Sequence, residues 1–168
     1  MLALIPHPEN RGAAVRTIEV DVERADPLLR IQYVVTAAME LLLIPPPRPA
    51  RFSDGLWRHT CCELFVARRG SAEYLEFNFS PSGEWALYGF SGYRTGGPLA
   101  QPVPVTRTQL GDDALRLEAD VRCPPGPLTL ALSAVMEERD GALSYWALRH
   151  APGKPDFHHR DAFALELA

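Results

Sequence analysis

The architecture of this chain can be predicted from one segment, Tyr74-Leu-Glu-Phe-Asn-Phe-Ser-Pro-Ser-Gly-Glu-Trp-Ala-Leu-Tyr-Gly-Phe90. Its first half alternates apolar and polar residues, which is the period of two of a β-strand. The turn-forming residues 80–83 follow, because Pro fixes φ and Gly tolerates a positive φ, and a second strand then begins near Trp85. We therefore predict an antiparallel hairpin with Glu76 and Asn78 on its polar face. The side chains predicted to be buried on the opposite face are Leu75, Phe77 and Phe79.

Strand signals of this kind recur along the whole chain, separated by Pro- and Gly-rich turns. Helical periodicity is confined to 36–43, where the proline run at 45–47 would end a helix. Many short strands with such turns predict an all-β fold, an antiparallel β-sandwich of jelly-roll type. The length of 168 residues suits one domain spanning residues 1–168. The other strand-like runs are 15–22, 29–36, 39–44, 61–67, 115–121, 128–137, 143–149 and 163–167.

Composition narrows the classes of partner. The chain is 46% hydrophobic and 23% charged with a net charge of −4 and no basic tract, so we expect no nucleic-acid partner. No apolar run approaches the roughly 20 residues of a membrane span, so we expect no membrane partner. The N-terminus does not resemble a signal peptide, and the odd number of cysteines, Cys61, Cys62 and Cys123, favours a reduced state. We therefore expect a cytoplasmic protein.

Two segments combine aromatic and polar residues. In the segment 54–65, Trp57 offers a flat face on which a sugar ring can stack, while Arg58, His59 and Glu63 can bind hydroxyl groups. The alternative is that Trp57 closes one end of the core. The segment 145–161 concentrates His and Asp, but its spacing matches no zinc pattern, so a hydrogen-bonded or ligand-contacting loop is favoured over a metal site. The residues concerned are His150, Asp156, His158, His159 and Asp161.

Two further interpretations of the acidic residues stay open at this stage. Glu137 together with Glu63 or Glu76 would resemble the carboxylate pair of a glycosidase, although the sequence does not fix their separation. A buried polar network that only braces the sandwich would give the same sequence pattern. Its members would be Glu63, Glu76, Asn78 and His150.

Taken together, these segments resemble the DOMON-like domains related to family 9 carbohydrate-binding modules. The matching pieces are 56–57, 60–65, 74–88, 93–94, 144–148 and 155–159. The resemblance implies a β-sandwich that binds a ligand and performs no chemistry, with aromatic side chains holding a sugar ring and charged or amide groups binding its hydroxyls. Trp57, Trp85 and Trp146 are the tryptophans available for that role. Haem-binding relatives use a Met and a His, but Met39 and Met136 fall in apolar runs here.

We therefore predict a non-catalytic protein that binds a carbohydrate or related polar small molecule, without a cofactor. The site is predicted to form from the 54–63 loop, the polar face of 74–80 and the 146–159 segment. The alternatives are a haem or metal protein, a hydrolase using Glu63, Glu76 and Glu137, and a protein-interaction domain. The predicted ligand-binding residues are Trp57, Arg58, Glu63, Glu76, Asn78, Trp85, Arg94, Trp146, His150, Asp156 and His158.

Overall fold

A computed structural model describes residues 1–10 and 12–168 of the chain. In this part the chain is almost entirely strand and loop, with short 3₁₀ helices at Met39–Leu41, Leu56–Arg58 and Arg160–Ala162. The predicted all-β class is confirmed. The strands are β1 (Leu2–Pro6), β2 (Val15–Ala25), β3 (Leu28–Ala37), β4 (Cys61–Arg68), β5 (Tyr74–Phe79), β6 (Trp85–Gly92), β7 (Thr95–Pro98), β8 (Val105–Leu110), β9 (Ala114–Arg122), β10 (Leu128–Glu137), β11 (Leu143–Ala147) and β12 (Leu165–Leu167).

The strands form the two antiparallel sheets of a β-sandwich. The front sheet has the order β7-β6-β5-β4-β10-β11, and β12 pairs with β10 beside β11. The back sheet has the order β2-β3-β9-β8. Strand β1 joins them, because its residues 2–4 pair with β2 and its residues 5–6 pair with β11. The jelly-roll connection pattern stays a prediction.

The main core lies between the sheets and follows from the period of two in each strand. Ile31 and Tyr33 of the back sheet and Leu64 and Phe77 of the front sheet are fully buried members of it. The Tyr33 hydroxyl donates a 2.6 Å hydrogen bond to the Glu63 backbone carbonyl. This bond crosses the core and gives the buried hydroxyl the partner that it needs.

The outer face of the front sheet is covered as well. One cluster packs Phe65 and Tyr74 against Phe157 and Phe163 of the C-terminal segment, and a second packs Leu56 against Tyr88. Strand β4 is therefore buried on both faces along most of its length. The polar face of the predicted hairpin is consequently not an open solvated surface, and its residues have to be explained by what lies above them.

The predicted hairpin is confirmed. Strands β5 and β6 pair antiparallel with Glu76 opposite Tyr88, and Gly83 in the turn between them has a φ of +94°. Phe77 and Phe79 are fully buried, and Leu75 is partly buried against the same core.

Other local predictions were wrong or incomplete. Residues 39–44 were predicted as a strand, but Met39–Leu41 form a 3₁₀ helix and Leu42 makes a single bridge to Glu138. Strands β1, β7 and β8 were not predicted.

The cysteines are all free. Cys62 packs in the core between the sheets and Cys61 packs on the outer face of the front sheet, as expected of adjacent strand residues. In the described part of the chain, none of the helices has the length and apolarity needed to cross a bilayer.

Candidate ligand-binding site

A cavity of about 520 Å³ opens on the outer face of the front sheet. Its floor is the sheet, and the loop around Trp57 and the segment 154–158 form its walls. Its volume falls within the roughly 300–1,000 Å³ of small-molecule sites. The lining residues are Asp54, Trp57, Glu63, Glu76, Tyr88, Phe90, Arg94, Val135, Tyr145, Lys154, Pro155, Phe157 and His158.

Strand register brings the polar floor together. Glu63 of β4 lies opposite Asn78 of β5, and Glu76 lies opposite Tyr88 of β6. Because residues two apart on a strand share a face, Glu63 and Glu76 are diagonal neighbours on the floor. The two carboxyls are 2% and 5% exposed as residues, so the cavity gives them almost their only opening.

The electrostatics of this floor favour protonated carboxyls. Burial raises the pKa of Glu63 well above its usual range, and the nearby Glu76 adds to that rise. Burial also raises the pKa of Glu76, to about 7, although the neighbouring Asn78 amide and then the Arg94 cation act in the opposite direction. The Ser133 hydroxyl donates a 3.3 Å hydrogen bond to Glu63 Oε2. At neutral pH the floor therefore holds protons that ordinary carboxylates would have released.

His158 connects the floor to the wall through Tyr74. The Arg94 backbone N–H donates to the Tyr74 hydroxyl at 3.1 Å, and that hydroxyl lies 2.8 Å from His158 Nδ1. Burial, and to a smaller extent Arg94, lowers the pKa of His158 to about 4, so the ring is neutral at pH 7. We assign its proton to Nε2, because the Tyr74 O–H then donates to Nδ1 and Nε2 faces Glu76 Oε2 at 3.4 Å.

The Arg94 guanidinium is held at the cavity wall by acceptors from its own chain. Its Nη2 donates to Asp156 Oδ1 at 2.9 Å and its Nε donates to the Tyr93 hydroxyl at 3.2 Å. Tyr93 in turn donates to Asp156 Oδ2. Although burial opposes it, hydrogen bonds from Tyr93 and Arg94 lower the pKa of Asp156. The guanidinium is thus fixed in position before any ligand arrives.

Aromatic rings form the remaining walls. Trp57 is 46% exposed and lines the cavity, with the Arg58 guanidinium 5.0 Å from its ring centroid. This exposure does not fit the alternative in which Trp57 closes the core. Tyr88 stands on the floor and its hydroxyl donates to Asp54 Oδ1. The site therefore combines ring faces with carboxyl, guanidinium and imidazole groups.

The cavity brings together five of the predicted site residues: Trp57, Glu63, Glu76, Arg94 and His158. Arg58 and Asp156 lie behind this lining and support Trp57 and Arg94 respectively. Asn78 is fully buried beside the floor, and neither polar atom of its amide is hydrogen bonded within the described residues. The three predicted segments do converge on one cavity.

Three predicted residues lie elsewhere. Trp85 and Trp146 belong to the core between the sheets, because strand alternation turns them away from the face that carries Tyr88 and Tyr145. The indole of Trp146 donates to the Ser144 hydroxyl at 3.0 Å. His150 does not line the cavity: its Nε2 lies 2.9 Å from the Ile5 carbonyl, and its ring packs behind Phe157 at a centroid distance of 6.3 Å. It is therefore not part of a network with Glu63 and Glu76.

Several lining residues were not predicted. Once the register across the hairpin is known, Tyr88 and Phe90 can be placed on the same face of the sheet as Glu76, because they pair with Glu76 and Tyr74 respectively. Tyr145 could have been found by the same alternation in β11, which places it opposite Val135. Phe157 and Lys154 come from an irregular segment, for which the sequence provides no periodic signal.

The other proposed sites find less support. Glu137 bonds His59 at 2.8 Å and lines a separate groove, so it does not join Glu63 or Glu76. Within residues 1–10 and 12–168, the His, Cys, Asp and Glu side chains form no group of three or more that could hold a metal ion. The metal alternative therefore gains nothing from the described residues.

Comparisons with known proteins extend these observations. No protein-family model matches the chain, and no curated protein matches it. Among solved structures, a "putative carbohydrate-binding protein" from Bacteroides uniformis superposes with a TM-score of 0.70 at 14% identity, covering 96% of this chain and 81% of that one.

Two structures of a family 9 carbohydrate-binding module from Caldicellulosiruptor kristjanssonii also match, each at 12% identity over 82% of this chain. The complex with glucose gives a TM-score of 0.53 with 69% of that chain covered. The complex with cellotriose gives 0.54 with 67% covered. At these identities the likeness concerns the fold, and the chain shares the β-sandwich of the family 9 carbohydrate-binding modules.

Proposed function

We propose that this protein is a non-catalytic binding module that takes a carbohydrate or related polar small molecule into the front-sheet cavity. The observation that carries the proposal is the cavity itself, in which aromatic rings surround buried carboxyls and a fixed guanidinium. Sugars present apolar C–H faces and a rim of hydroxyl groups, and this combination of side chains is complementary to both. The structural neighbours named for sugar binding support the same ligand class.

In this proposal Trp57 provides the stacking surface, because it is the exposed ring at the cavity mouth. Below it, the carboxyls of Glu63 and Glu76 accept hydrogen bonds from the sugar hydroxyls, and the Arg94 guanidinium donates hydrogen bonds to them. Arg94 is already held by Asp156, so little side-chain entropy is lost when it binds. Neutral His158 contributes a further polar edge at the floor.

Binding is favoured over hydrolysis by the state of the two floor carboxyls. A retaining glycosidase needs one protonated acid and one ionised nucleophile. Here burial raises the pKa of Glu63 and of Glu76 alike. Neither forms an ion pair with a Lys or Arg within the described residues. The floor therefore does not hold either carboxyl as the ion-paired anion that would serve as a nucleophile.

The proposal is tested by calorimetry against a panel of mono- and oligosaccharides, with product analysis to detect hydrolysis. Trp57→Ala is expected to weaken binding by roughly 1–3 kcal/mol, since it removes a stacking surface. The loss in unfolding free energy should be below about 1 kcal/mol, since the ring is 46% exposed. Trp57→Phe, which keeps a flat ring, is the control and should retain most of the affinity. Unchanged affinity of Trp57→Ala, or no binding by any saccharide, would show that the proposal is wrong.

The proposal also covers the family relationship of the protein and its cellular compartment. We infer a DOMON-like member of this fold group that works in the cytoplasm. The free state of Cys61, Cys62 and Cys123 is in keeping with a reducing compartment.

A further inference from the structure

We propose that the ligand of the front-sheet cavity carries a protonated amine, as an amino sugar does, and that Glu63 and Glu76 receive this amine among the aromatic rings. The inference rests on the proposed function and names the ligand class for that same cavity. It starts from two buried carboxyls that the protein leaves without a paired cation in the part of the chain that the structure describes.

The floor carboxyls have no cationic partner of their own. Glu63 forms no ion pair among the described residues, and its hydrogen bond comes from the neutral Ser133 hydroxyl. Glu76 forms no ion pair with a Lys or Arg in the same part of the chain, and its nearest basic group is the neutral His158, whose Nε2 lies 3.4 Å from Oε2. The Asn78 amide and the Arg94 charge favour its ionised form, but burial outweighs both and raises its pKa. Two carboxyls so deeply buried are costly to ionise unless a positive charge arrives.

The cations at the wall do not fill this gap. Arg94 is engaged by Asp156 at 2.9 Å and by the Tyr93 hydroxyl. Lys154 is exposed at the rim and forms no ion pair with either floor carboxyl in the described chain. Among the lining residues and those directly behind them, the acidic groups are Asp54, Glu63, Glu76 and Asp156, and the basic groups are Arg58, Arg94 and Lys154. A ligand that brings a cation would therefore supply the positive charge that Glu63 and Glu76 need in order to ionise.

The rings around the carboxyls suit a cation as well as a sugar. Tyr88 stands directly opposite Glu76 in the register, and Phe90 follows on the same face. Tyr145 and Phe157 line the other side of the cavity. A cation near aromatic faces gains from the ring quadrupole, and more so where water is excluded. Carboxyls and rings together discriminate an ammonium group from a hydroxyl.

A neutral sugar is the competing ligand. Its hydroxyls can donate to one carboxylate, but they bring no charge that would let Glu63 and Glu76 ionise side by side. An amine would lower the pKa of both carboxyls, so its binding should release protons to the buffer. A neutral sugar should bind with little proton release.

The test is calorimetry on the full chain with three matched sets: glucosamine, galactosamine and mannosamine, each with its parent hexose and its N-acetyl derivative. At about pH 6.5, where an amine of pKa near 8 is protonated, each productive amino sugar should bind roughly tenfold or more tightly than its two neutral counterparts. Repeating the titration in buffers of different ionisation enthalpy should show net proton release.

Glu76→Gln keeps the side-chain volume and removes one of the two carboxyls, so it should reduce the preference for the amine below about threefold and reduce the proton release to what Glu63 alone can supply. Glu166→Gln, at a 66% exposed side chain paired with Arg69, is the matched control and should leave the preference unchanged. Far-UV circular dichroism checks that both variants fold. If a parent hexose binds as tightly as its amine, the inference is wrong while the proposed function stands. If no sugar of any set binds, both are wrong.

Discussion

At the residue scale, one hydroxyl organises much of the site. The Tyr74 hydroxyl accepts from the Arg94 backbone and lies 2.8 Å from His158 Nδ1, so it joins the hairpin to the C-terminal segment. Its ring is stacked on Phe90 at a centroid distance of 4.7 Å, which fixes the direction of the O–H. The Tyr74 hydroxyl oxygen therefore determines the tautomer of His158 and also holds the backbone of the turn at Arg94.

Tyr74→Phe is expected to lower the unfolding free energy by roughly 1–2 kcal/mol, because the partly buried His158 Nδ1 and Arg94 N–H lose their partner while the ring packing is kept. Urea unfolding measures this loss. Tyr93→Phe also removes a hydroxyl, but that residue is 57% exposed, so its cost should be below about 1 kcal/mol. Equal losses for the two variants would mean that the Tyr74 hydroxyl has no special structural role.

The raised pKa of Glu76 should make the unfolding free energy depend on pH. Burial raises its pKa from 4.5 to about 7 in the folded protein, so between these values the folded state holds a proton that the unfolded state has lost. This contribution is complete below about pH 4.5 and disappears as the pH rises through 7. His158, whose pKa burial lowers from 6.5 to about 4, acts in the opposite direction over part of the range.

A comparison with Glu76→Gln separates the two effects, because the variant keeps His158. The unfolding free energy of Glu76→Gln minus that of the unsubstituted protein should rise by roughly 1–3 kcal/mol between pH 4.5 and pH 8. Denaturant titrations at several pH values measure the difference. A difference that is flat or falls across this range would contradict the raised pKa.

Residue identity alone predicts chemistry better than position. Trp57, Glu63 and Glu76 were identified from their types and segments, and the cavity contains them. Trp85 and Trp146 have the same chemistry but the opposite parity on their strands, which places them in the core. The face on which a strand residue lies depends on how its strand is paired with its neighbours. That pairing joins distant parts of the chain, and a local sequence pattern does not contain it.

At the scale of elements, the hairpin of β6 and β7 carries the Tyr93–Arg94 wall of the cavity. Its strands come very close at one point: a Cβ added to Gly96 would lie 1.9 Å from the Gly89 carbonyl oxygen. At the neighbouring Gly97 an added Cβ would meet no atom within 4 Å. The pairing of β7 therefore requires glycine at one position and tolerates a side chain at the next.

Gly96→Ala is expected to separate β7 from β6 and to lower the unfolding free energy by roughly 1–3 kcal/mol. It should also weaken ligand binding, because Arg94 loses its support. Hydrogen exchange of the β7 amides measures the local opening. Gly97→Ala is the matched control and should leave exchange and binding nearly unchanged. Similar behaviour of the two variants would show that the close approach is not what holds β7.

Elements with strong alternation were predictable, and the others were not. Strands β5, β6, β9 and β10 follow from apolar residues repeating every second position. Strand β7 is Thr95–Pro98, where two glycines leave no pattern, and β8 is exposed on its outer edge, so it buries little. The run at 39–44 has strand-like composition, but the Leu41 and Leu42 N–H groups donate to the carbonyls of Ala38 and Met39 and so close a 3₁₀ turn. Only Leu43 of this run donates to the end of β10, and the prolines that follow cannot extend a strand ladder.

At the scale of the whole molecule, the sandwich architecture could be predicted and the cavity could not. Many short strands with turn residues indicate two packed sheets. The cavity arises because the segments 52–58 and 150–163 fold over the outer face of one sheet. Such loop placement depends on a few packed rings, such as Phe157 and Phe163, and no periodic signal marks it.

The two sheets should unfold as one cooperative unit, as expected of one domain spanning residues 1–168. Strand β1 is hydrogen bonded to both sheets, and the core between them is a single contiguous cluster. Tyr33 of the back sheet also donates to the Glu63 carbonyl of the front sheet, beneath the cavity floor. A change at Tyr33 should therefore affect both sheets equally.

Tyr33→Phe removes that buried hydrogen bond and keeps the ring, so it should lower the unfolding free energy by roughly 1–2 kcal/mol. Tryptophan fluorescence reports on the front sheet, because Trp85 and Trp146 lie in its strands, and hydrogen exchange of β3 amides reports on the back sheet. Both probes should give the same midpoint in the parent protein and the same reduced midpoint in the variant. Calorimetric and van't Hoff enthalpies should also agree. Separate midpoints for the two sheets would mean that each folds on its own, and that β1 and Tyr33 connect them without coupling their stability.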